Sequence, residues 1–107
     1  MSFLISFEGI DGCGKTTQID MLVDELQSRN IKNSVFREPG DTSISNKLRE
    51  ILLDNNNQIC SESETLLFLA ARSQLVREKI IPSIKKGKIV ICDRYFDSTL
   101  AYQGYGR

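Results

Sequence analysis

The composition of this chain excludes several kinds of function before any motif is considered. Its 107 residues are enough for one domain, and its 14 basic and 14 acidic residues cancel, so no overall field attracts nucleic acid or an anionic membrane. Histidine is absent, which excludes Ser-His and Cys-His catalysis and removes the commonest metal ligand. The three cysteines are widely spaced and form no C-x-x-C pair, so we expect neither disulfides nor zinc, and a reducing cytoplasm fits best.

The N-terminal segment predicts a strand followed by a phosphate-binding loop. Residues Phe3 to Phe7 are mostly apolar and indicate a buried strand rather than a signal peptide or a membrane span. The pattern G-x-x-x-x-G-K-[ST] is matched without substitution by Gly9-Ile10-Asp11-Gly12-Cys13-Gly14-Lys15-Thr16. Its N–H groups and the next helix would hold nucleotide phosphates, with Lys15 exposed in the loop and Thr16 binding Mg²⁺. The alternative is a chance glycine-rich turn.

Two helices and a short strand are predicted next. The first helix runs from about Lys15 to Arg29, and its apolar core stripe consists of Ile19, Leu22, Val23 and Leu26. Ser34 to Phe36 predict a second strand, which the turn residues Glu38-Pro39-Gly40 end. A second apolar stripe then indicates a helix that ends before the cluster Asn55-Asn56-Asn57.

A long helix and a third strand complete the predicted elements. Ser61 and Glu64 have the spacing of a capping box at the start of the helix, Pro82 should interrupt it near its end, and Gly87 should stop it. The segment Lys88 to Cys92 is apolar enough to be buried on both faces, and Asp93 should end this strand. Strands that alternate with helices predict an α/β fold with a parallel sheet, and with ligands at the carboxyl ends of its strands.

Three charged residues follow the predicted strands. Asp93 is placed where a phosphate loop has its partner acid, which acts on Mg²⁺ directly or through water, although any strand can end in aspartate. Arg94 has a planar guanidinium that suits a phosphate, and the alternative is a surface ion pair. Arg37, at the end of the second strand, has the same two interpretations.

Four segments resemble thymidylate kinases in order and spacing: residues 7–18, Arg37 to Gly40, Leu67 to Gln74, and Asp93 to Arg107. The resemblance implies a P-loop nucleoside monophosphate kinase fold, with a parallel sheet flanked by helices, of which this chain holds about three strands. It implies transfer of the γ-phosphoryl of ATP to dTMP for dTTP synthesis, with Mg²⁺ as cofactor, in a cytoplasmic homodimer. Family members are much longer. Residues 1–107 are therefore expected to be the N-terminal part of the kinase domain, without lid and adenine-binding part, and inactive alone.

The resemblance also implies roles for individual residues. The phosphates of ATP would lie against residues 9–16 and Thr17, and the metal would be held by Thr16 and Asp93. The catalytic residues would be Asp11, Lys15 and Arg94. Asp11 would contact the sugar 3′-hydroxyl of dTMP, and Arg37 and Arg94 would hold its phosphate.

The remaining implied roles concern the nucleoside. Phe68 would stack on thymine and Arg72 would donate to its O4, while the base edge and the sugar would be contacted by Ser98, Thr99, Gln103 and Tyr102. Phe68 and Arg72 are four residues apart on a predicted helix, so they share a face and can address one base. The alternative for Phe68 and for Tyr102 is plain core packing.

Two features set the chain apart within this resemblance. Asp41 stands where many family members have a second glycine, and residues 9–16 contain no arginine, as in the bacterial type whose catalytic arginine lies in a mobile lid. The alternatives are another nucleoside or nucleotide kinase on the same fold, an inactive fragment of one, or a P-loop switch. The segment Asn46-Lys47-Leu48-Arg49 lacks the aspartate of the guanine-reading N-K-x-D pattern, which disfavours the switch.

Overall fold

Three parallel strands form the sheet of the computed structural model, which describes residues 3–9 and 14–95. They are β1 (Leu4–Gly9), β2 (Asn33–Glu38) and β3 (Ile89–Tyr95). Their spatial order is β1-β3-β2, so the strand that comes last in this part of the chain lies in the centre, with Val90 opposite both Leu4 and Ser34. The parallel α/β architecture predicted from the alternation of strands and helices is confirmed.

The helices connect the strands as crossovers. They are α1 (Lys15–Ser28), α2 (Ser43–Leu53), α3 (Ser61–Leu75) and α4 (Ile81–Lys85), with a π-helical turn at Val76–Ile80 between the last two. No helix in the described part of the chain is both long and apolar enough to cross a membrane.

The core consists of two layers on opposite faces of β3. Because side chains alternate along a strand, Ile89 and Ile91 pack against Ile19 and Leu26 of α1, as predicted for the α1 stripe. On the other face, Val90 and Cys92 pack against residues that include Leu75. Val90, Ile91 and Cys92 have no exposed surface, which confirms that β3 is buried on both faces.

The third strand extends further than predicted. Asp93 does not end it, since both neighbouring strands continue beside it: Glu8 and Glu38 each lie opposite Arg94, and Gly9 lies opposite Tyr95. Backbone pairing on two sides outweighs the low strand propensity of an aspartate. Asp93 and Arg94 are consequently strand residues whose side chains leave opposite faces of the sheet.

The start of α3 also differs from the prediction. Ser61 is the first helical residue, and the N-cap residue is Cys60. No side chain caps the backbone N–H groups of the first turn, and the Ser61 hydroxyl donates to Glu62 Oε1 at 2.9 Å instead. The predicted capping box is therefore wrong. A side-chain cap that the sequence analysis missed begins α2, where Thr42 Oγ1 accepts from the Ser45 N–H at 2.9 Å.

The interruption predicted at Pro82 is confirmed as the π-helical turn directly before α4. Proline has no N–H and its ring obstructs the carbonyl four residues earlier, which explains why the regular α-helical pattern is lost over Val76–Ile80. Gly87 then ends α4 with a positive φ of 78°, as expected for the residue after a helix.

We predict that two leucines of α3 differ sharply in their contribution to stability. Leu75 is fully buried against β3, whereas the side chain of Leu66 is 66% exposed. Leu75→Ala should lower the free energy of unfolding by about 2 to 5 kcal/mol because it leaves a cavity. Leu66→Ala makes the same change in helix propensity and should cost no more than about 0.5 kcal/mol. Urea unfolding monitored by circular dichroism measures both, and equal losses would contradict this assignment of the core.

Two cysteines should differ in reactivity for the same reason. Burial, followed by the negative charge of Glu38, raises the pKa of Cys92 to about 12, whereas a hydrogen bond with the Ser63 side chain lowers the pKa of exposed Cys60. At pH 8 iodoacetamide should alkylate Cys60 and leave Cys92 unmodified until the protein is unfolded. Peptide-resolved mass spectrometry reads each site separately. Alkylation of both at similar rates in the native protein would refute the prediction.

Candidate functional site

Charged side chains meet at the carboxyl ends of the three strands, on both faces of β3. On the α1 side, Lys15 contacts Asp93. On the α3 side, Glu38 contacts Arg72 and Arg94. These five residues lie at the edge of the sheet where a parallel α/β fold is expected to bind its ligands.

Lys15 is the first residue of α1 and is buried, with only 6% of its surface exposed. It follows Gly14, whose φ of 82° lies in the left-handed region and turns the chain into the helix. The Lys15 ammonium donates to the carbonyl oxygens of Gly9 at 2.9 Å and Arg94 at 3.0 Å, and lies 2.7 Å from Asp93 Oδ1. The expectation of an exposed lysine is therefore wrong, because all three donors of the ammonium have partners at the sheet edge.

Asp93 and Thr16 supply the oxygen atoms that suit a magnesium ion. The Asp93 side chain is 28% exposed, and Thr16 is exposed in the first turn of α1. A carboxylate and a hydroxyl fit Mg²⁺, which takes few protein ligands and completes its shell with water and substrate phosphates. Within residues 3–9 and 14–95, no cluster of three or more acidic, cysteine or histidine side chains offers a cage that would hold a metal without substrate.

Glu38, the last residue of β2, is 1% exposed and binds one arginine with each carboxylate oxygen. Oε1 accepts from Arg72 Nε at 2.8 Å and Oε2 accepts from Arg94 Nε at 2.7 Å. Burial acts to raise the pKa of Glu38, but the hydrogen bonds and positive charges of the two arginines outweigh it and hold the pKa below the ordinary value. Glu38 is therefore ionised at neutral pH.

Arg94 has a second acidic partner. Its Nη1 donates to Glu8 Oε1 at 3.2 Å, and Glu8 is about half exposed. Burial acts to lower the pKa of Arg94, but the bonds to Glu38 and Glu8 raise it. The ion pair left open as an alternative for Arg94 exists, but Arg94 is only 20% exposed, so it lies within the sheet edge and not on the open surface.

Arg72 and Phe68 share one face of α3, as their spacing predicts. The Arg72 Cζ atom lies 5.0 Å from the centroid of the Phe68 ring, which is a cation–π contact, and Phe68 is half-buried. One guanidinium is thus held on one side by a ring and on another by a buried carboxylate.

Arg37 stands apart from these contacts. Its side chain is exposed, and alternation along β2 directs it to the face opposite Glu38. Its backbone N–H donates to the Asp41 carboxylate, and the Asp41 N–H donates to Asn46 Oδ1 at 2.8 Å. Asp41 itself has a positive φ of 69°, a left-handed conformation that aspartate adopts more readily than most residues other than glycine.

The sequence analysis gave Glu38 only as a turn residue after the second strand, whereas it is the last residue of β2, and it assigned no site role to Asn46 or Arg49. Arg49 Nη1 donates to the Pro39 carbonyl oxygen at 2.8 Å, so α2 supports the turn that follows Glu38. One signal for Glu38 was available in the sequence. It is an acidic residue at the end of a short strand, which is the feature that singled out Asp93. The other predicted site residues, Ile10, Asp11, Gly12, Cys13, Ser98, Thr99, Tyr102 and Gln103, lie outside the described residues, and their roles stay predictions.

Comparison with known proteins gives a consistent assignment. A family model described as thymidylate kinase matches residues 7–107. The thymidylate kinase of Thermoanaerobacter sp. strain X514 is 55% identical over 103 residues, which cover 96% of this chain and 51% of the relative. The thymidylate kinase of Pelobacter propionicus is 54% identical over 108 aligned positions, covering 100% of this chain and 49% of the relative. The chain spans about half the length of the curated relatives it matches.

A solved structure extends the agreement to the backbone. The crystal structure of thymidylate kinase from Ehrlichia chaffeensis superposes with a TM-score of 0.80 at 45% identity, over 98% of this chain and 60% of that chain. The parallel sheet with its flanking helices is thus the P-loop nucleoside monophosphate kinase fold. Because the family model matches nearly its whole length, this chain belongs to the thymidylate kinase family.

Proposed function

We propose that the protein transfers the γ-phosphoryl group of ATP to dTMP, giving ADP and dTDP. The observation that carries the proposal is the 3.0 Å hydrogen bond from the Lys15 ammonium to the Arg94 carbonyl oxygen. Lys15 belongs to the loop that would hold the phosphates of ATP, and Arg94 is the residue that would hold the phosphate of dTMP. Their contact supports a site in which donor and acceptor phosphates approach each other at the end of β3.

The chemistry needs positioning and positive charge more than a covalent catalyst. An oxygen of the dTMP phosphate attacks the γ-phosphorus, the bond from that phosphorus to the bridging oxygen breaks, and the electron pair leaves with ADP. Lys15 would stabilise the charge that spreads over the transferred group, and Arg94 would orient the attacking phosphate. Lys15 is held by Asp93 and by two carbonyl groups at the ends of β1 and β3, which keeps its ammonium at the sheet edge where the phosphates would lie.

The proposal includes a magnesium ion. Thr16 and Asp93 would hold Mg²⁺ together with the phosphates of ATP. The ion, when bound, neutralises phosphate charge that Lys15 alone cannot offset.

The nucleoside side of the site rests on α3. We propose that Phe68 stacks on thymine and that Arg72 donates to its O4, while Asp11 contacts the sugar and Arg37 assists at the phosphate. Support comes from the shared face of Phe68 and Arg72 and from the carboxylate that holds Arg72 in place. Thymine offers O4 as an acceptor where cytosine offers an amino donor, so a fixed guanidinium there would discriminate between them.

The proposal includes parts of the enzyme outside this chain. The chain spans about half the length of its curated relatives, so we propose that the complete enzyme has further residues that supply the lid and the adenine-binding part.

We also propose a cytoplasmic homodimer. Exposed apolar side chains on α2, such as Ile44 and Ile51, support a contact surface on this helix.

Lys15→Met in the full-length protein should lower kcat for dTMP phosphorylation by about 10²-fold or more, because it removes the charge but keeps much of the aliphatic stem. Methionine is preferable to alanine since Lys15 is buried against the strand ends. Lys85→Met is the matched control, because Lys85 is an exposed residue before the opposite end of β3. A coupled ADP-release assay measures both variants. Unchanged turnover in Lys15→Met would refute the proposed function.

Arg72→Ala should selectively weaken base recognition. The unaltered enzyme should use dTMP and should reject dCMP strongly. It should use dUMP less well, because the missing methyl contact lowers transition-state binding by roughly 1 to 3 kcal/mol. In Arg72→Ala, kcat/KM for dTMP should fall while KM for ATP stays constant, and the gap between dTMP and dCMP should narrow. Arg77→Ala, at an exposed arginine farther along the same helical segment, is the control. If Arg72→Ala keeps the full preference for dTMP over dCMP, Arg72 is not the base reader.

A further inference from the structure

Glu38 connects two parts of the site that are far apart in the sequence. One oxygen binds Arg72 on α3, 34 residues away, and the other binds Arg94 on β3, 56 residues away. Both arginines use Nε for these bonds, and Nε is the guanidinium donor nearest to the backbone. The carboxylate therefore helps to set how each guanidinium plane is turned, while Arg94 Nη1 extends beyond it to Glu8.

The carboxylate itself has little freedom to move. Glu38 is paired to Arg94 in the strand ladder, and the following Pro39 and Gly40 are buried. The turn after it is held from α2 by Arg49 and Asn46, which bond Pro39 O and the Asp41 N–H, respectively. Glu38 thus acts as a rigid acceptor, because the backbone on both sides of it is fixed by hydrogen bonds.

The charge on Glu38 matters as much as its position. Arg72 and Arg94 are 28% and 20% exposed, so solvent only partly compensates their charges. With Glu38 ionised, the three side chains carry a net charge of one, from two cations and one anion. Without that negative charge, two partly buried guanidinium groups would repel each other, Arg72 would lose its bond to this carboxylate, and Arg94 would depend on its 3.2 Å bond to half-exposed Glu8.

We propose that Glu38 is a positioning residue that orients Arg72 and Arg94 together, so that one carboxylate determines how both the base and the phosphate of the nucleotide are held. This inference rests on the proposed function. It gives Glu38 a role in specificity: a nucleoside monophosphate is recognised when its base and its phosphate fit two guanidinium groups whose relative orientation is fixed. Glu38 does not itself take part in phosphoryl transfer.

Two substitutions separate the charge of Glu38 from its reach. Glu38→Gln keeps the shape and removes the charge, whereas Glu38→Asp keeps the charge but is too short to reach both arginines. Glu50→Gln, at an exposed residue of α2, is the control. Each variant is made in the full-length protein, and circular dichroism checks its fold. The measurements are kcat/KM for dTMP and for dCMP, KM for ATP, and the affinity for inorganic phosphate.

Both Glu38 variants should lose about 10²-fold in kcat/KM for dTMP and much of the preference over dCMP, with KM for ATP within about twofold of the unaltered enzyme. Inorganic phosphate should bind Glu38→Gln at least as tightly as it binds the unaltered protein, because the net positive charge increases. A purely structural role would weaken all ligands together, and that result would overturn the inference, as would an unchanged preference for dTMP in both variants.

Failure of the proposed function would be recognised separately. If the unaltered enzyme does not phosphorylate dTMP, the proposed function is wrong whatever the variants do. The positioning role is then read from the NMR signals of the Arg72 and Arg94 Nε–H groups, which Glu38 should protect from exchange with water. At least one of the two signals should broaden or disappear in Glu38→Gln, because the amide keeps one acceptor oxygen and replaces the other by a donor, and both should stay in Glu50→Gln. Persistence of both signals in Glu38→Gln would refute the positioning role.

Discussion

The position of β3 between β1 and β2 is the constraint on which the site depends. A central strand is covered on both faces, so its alternate side chains enter two different layers. At its carboxyl end the same alternation directs Asp93 toward Lys15 of α1 and Arg94 toward Glu38 and α3. One short segment therefore contributes to both groups of charged residues, and a shift of its register by one residue would exchange the two faces.

The buried charges are better explained by the proposed phosphate binding than by stability. Removing Lys15 and Glu38 from water costs several kcal/mol for each ion, and their attraction to partners offsets this cost only when the remaining hydrogen-bonding groups are also satisfied. Here each donor of the Lys15 ammonium and each oxygen of Glu38 has a partner. Apolar residues would stabilise the same space at least as well, so the retained charges agree with a site that receives phosphate groups.

A chain of hydrogen bonds from α2 helps to place Arg72, which belongs to the proposed nucleoside side of the site. Thr42 caps α2 through Ser45, and the Ser45 hydroxyl donates to the carbonyl oxygen of Ala71 at 2.7 Å. Ala71 is fully buried and directly precedes Arg72, so this bond sets the distance between α2 and the part of α3 that carries the guanidinium. The fold thus fixes Arg72 through its backbone from α2 and through its side chain from Glu38.

The sequence by itself determined the features that depend on near neighbours: the phosphate-loop pattern, the apolar stripe of α1, the apolar run of β3, and the helix interruption near Pro82. These follow from periodicity and backbone chemistry within a few residues. Only the tertiary structure decided that Lys15 is buried, that β3 continues past Asp93 and that Glu38 joins two arginines. The decisive contacts link residues 34, 56 and 79 positions apart. No local pattern contains such a pairing, because it exists only after the crossovers have brought the strand ends together.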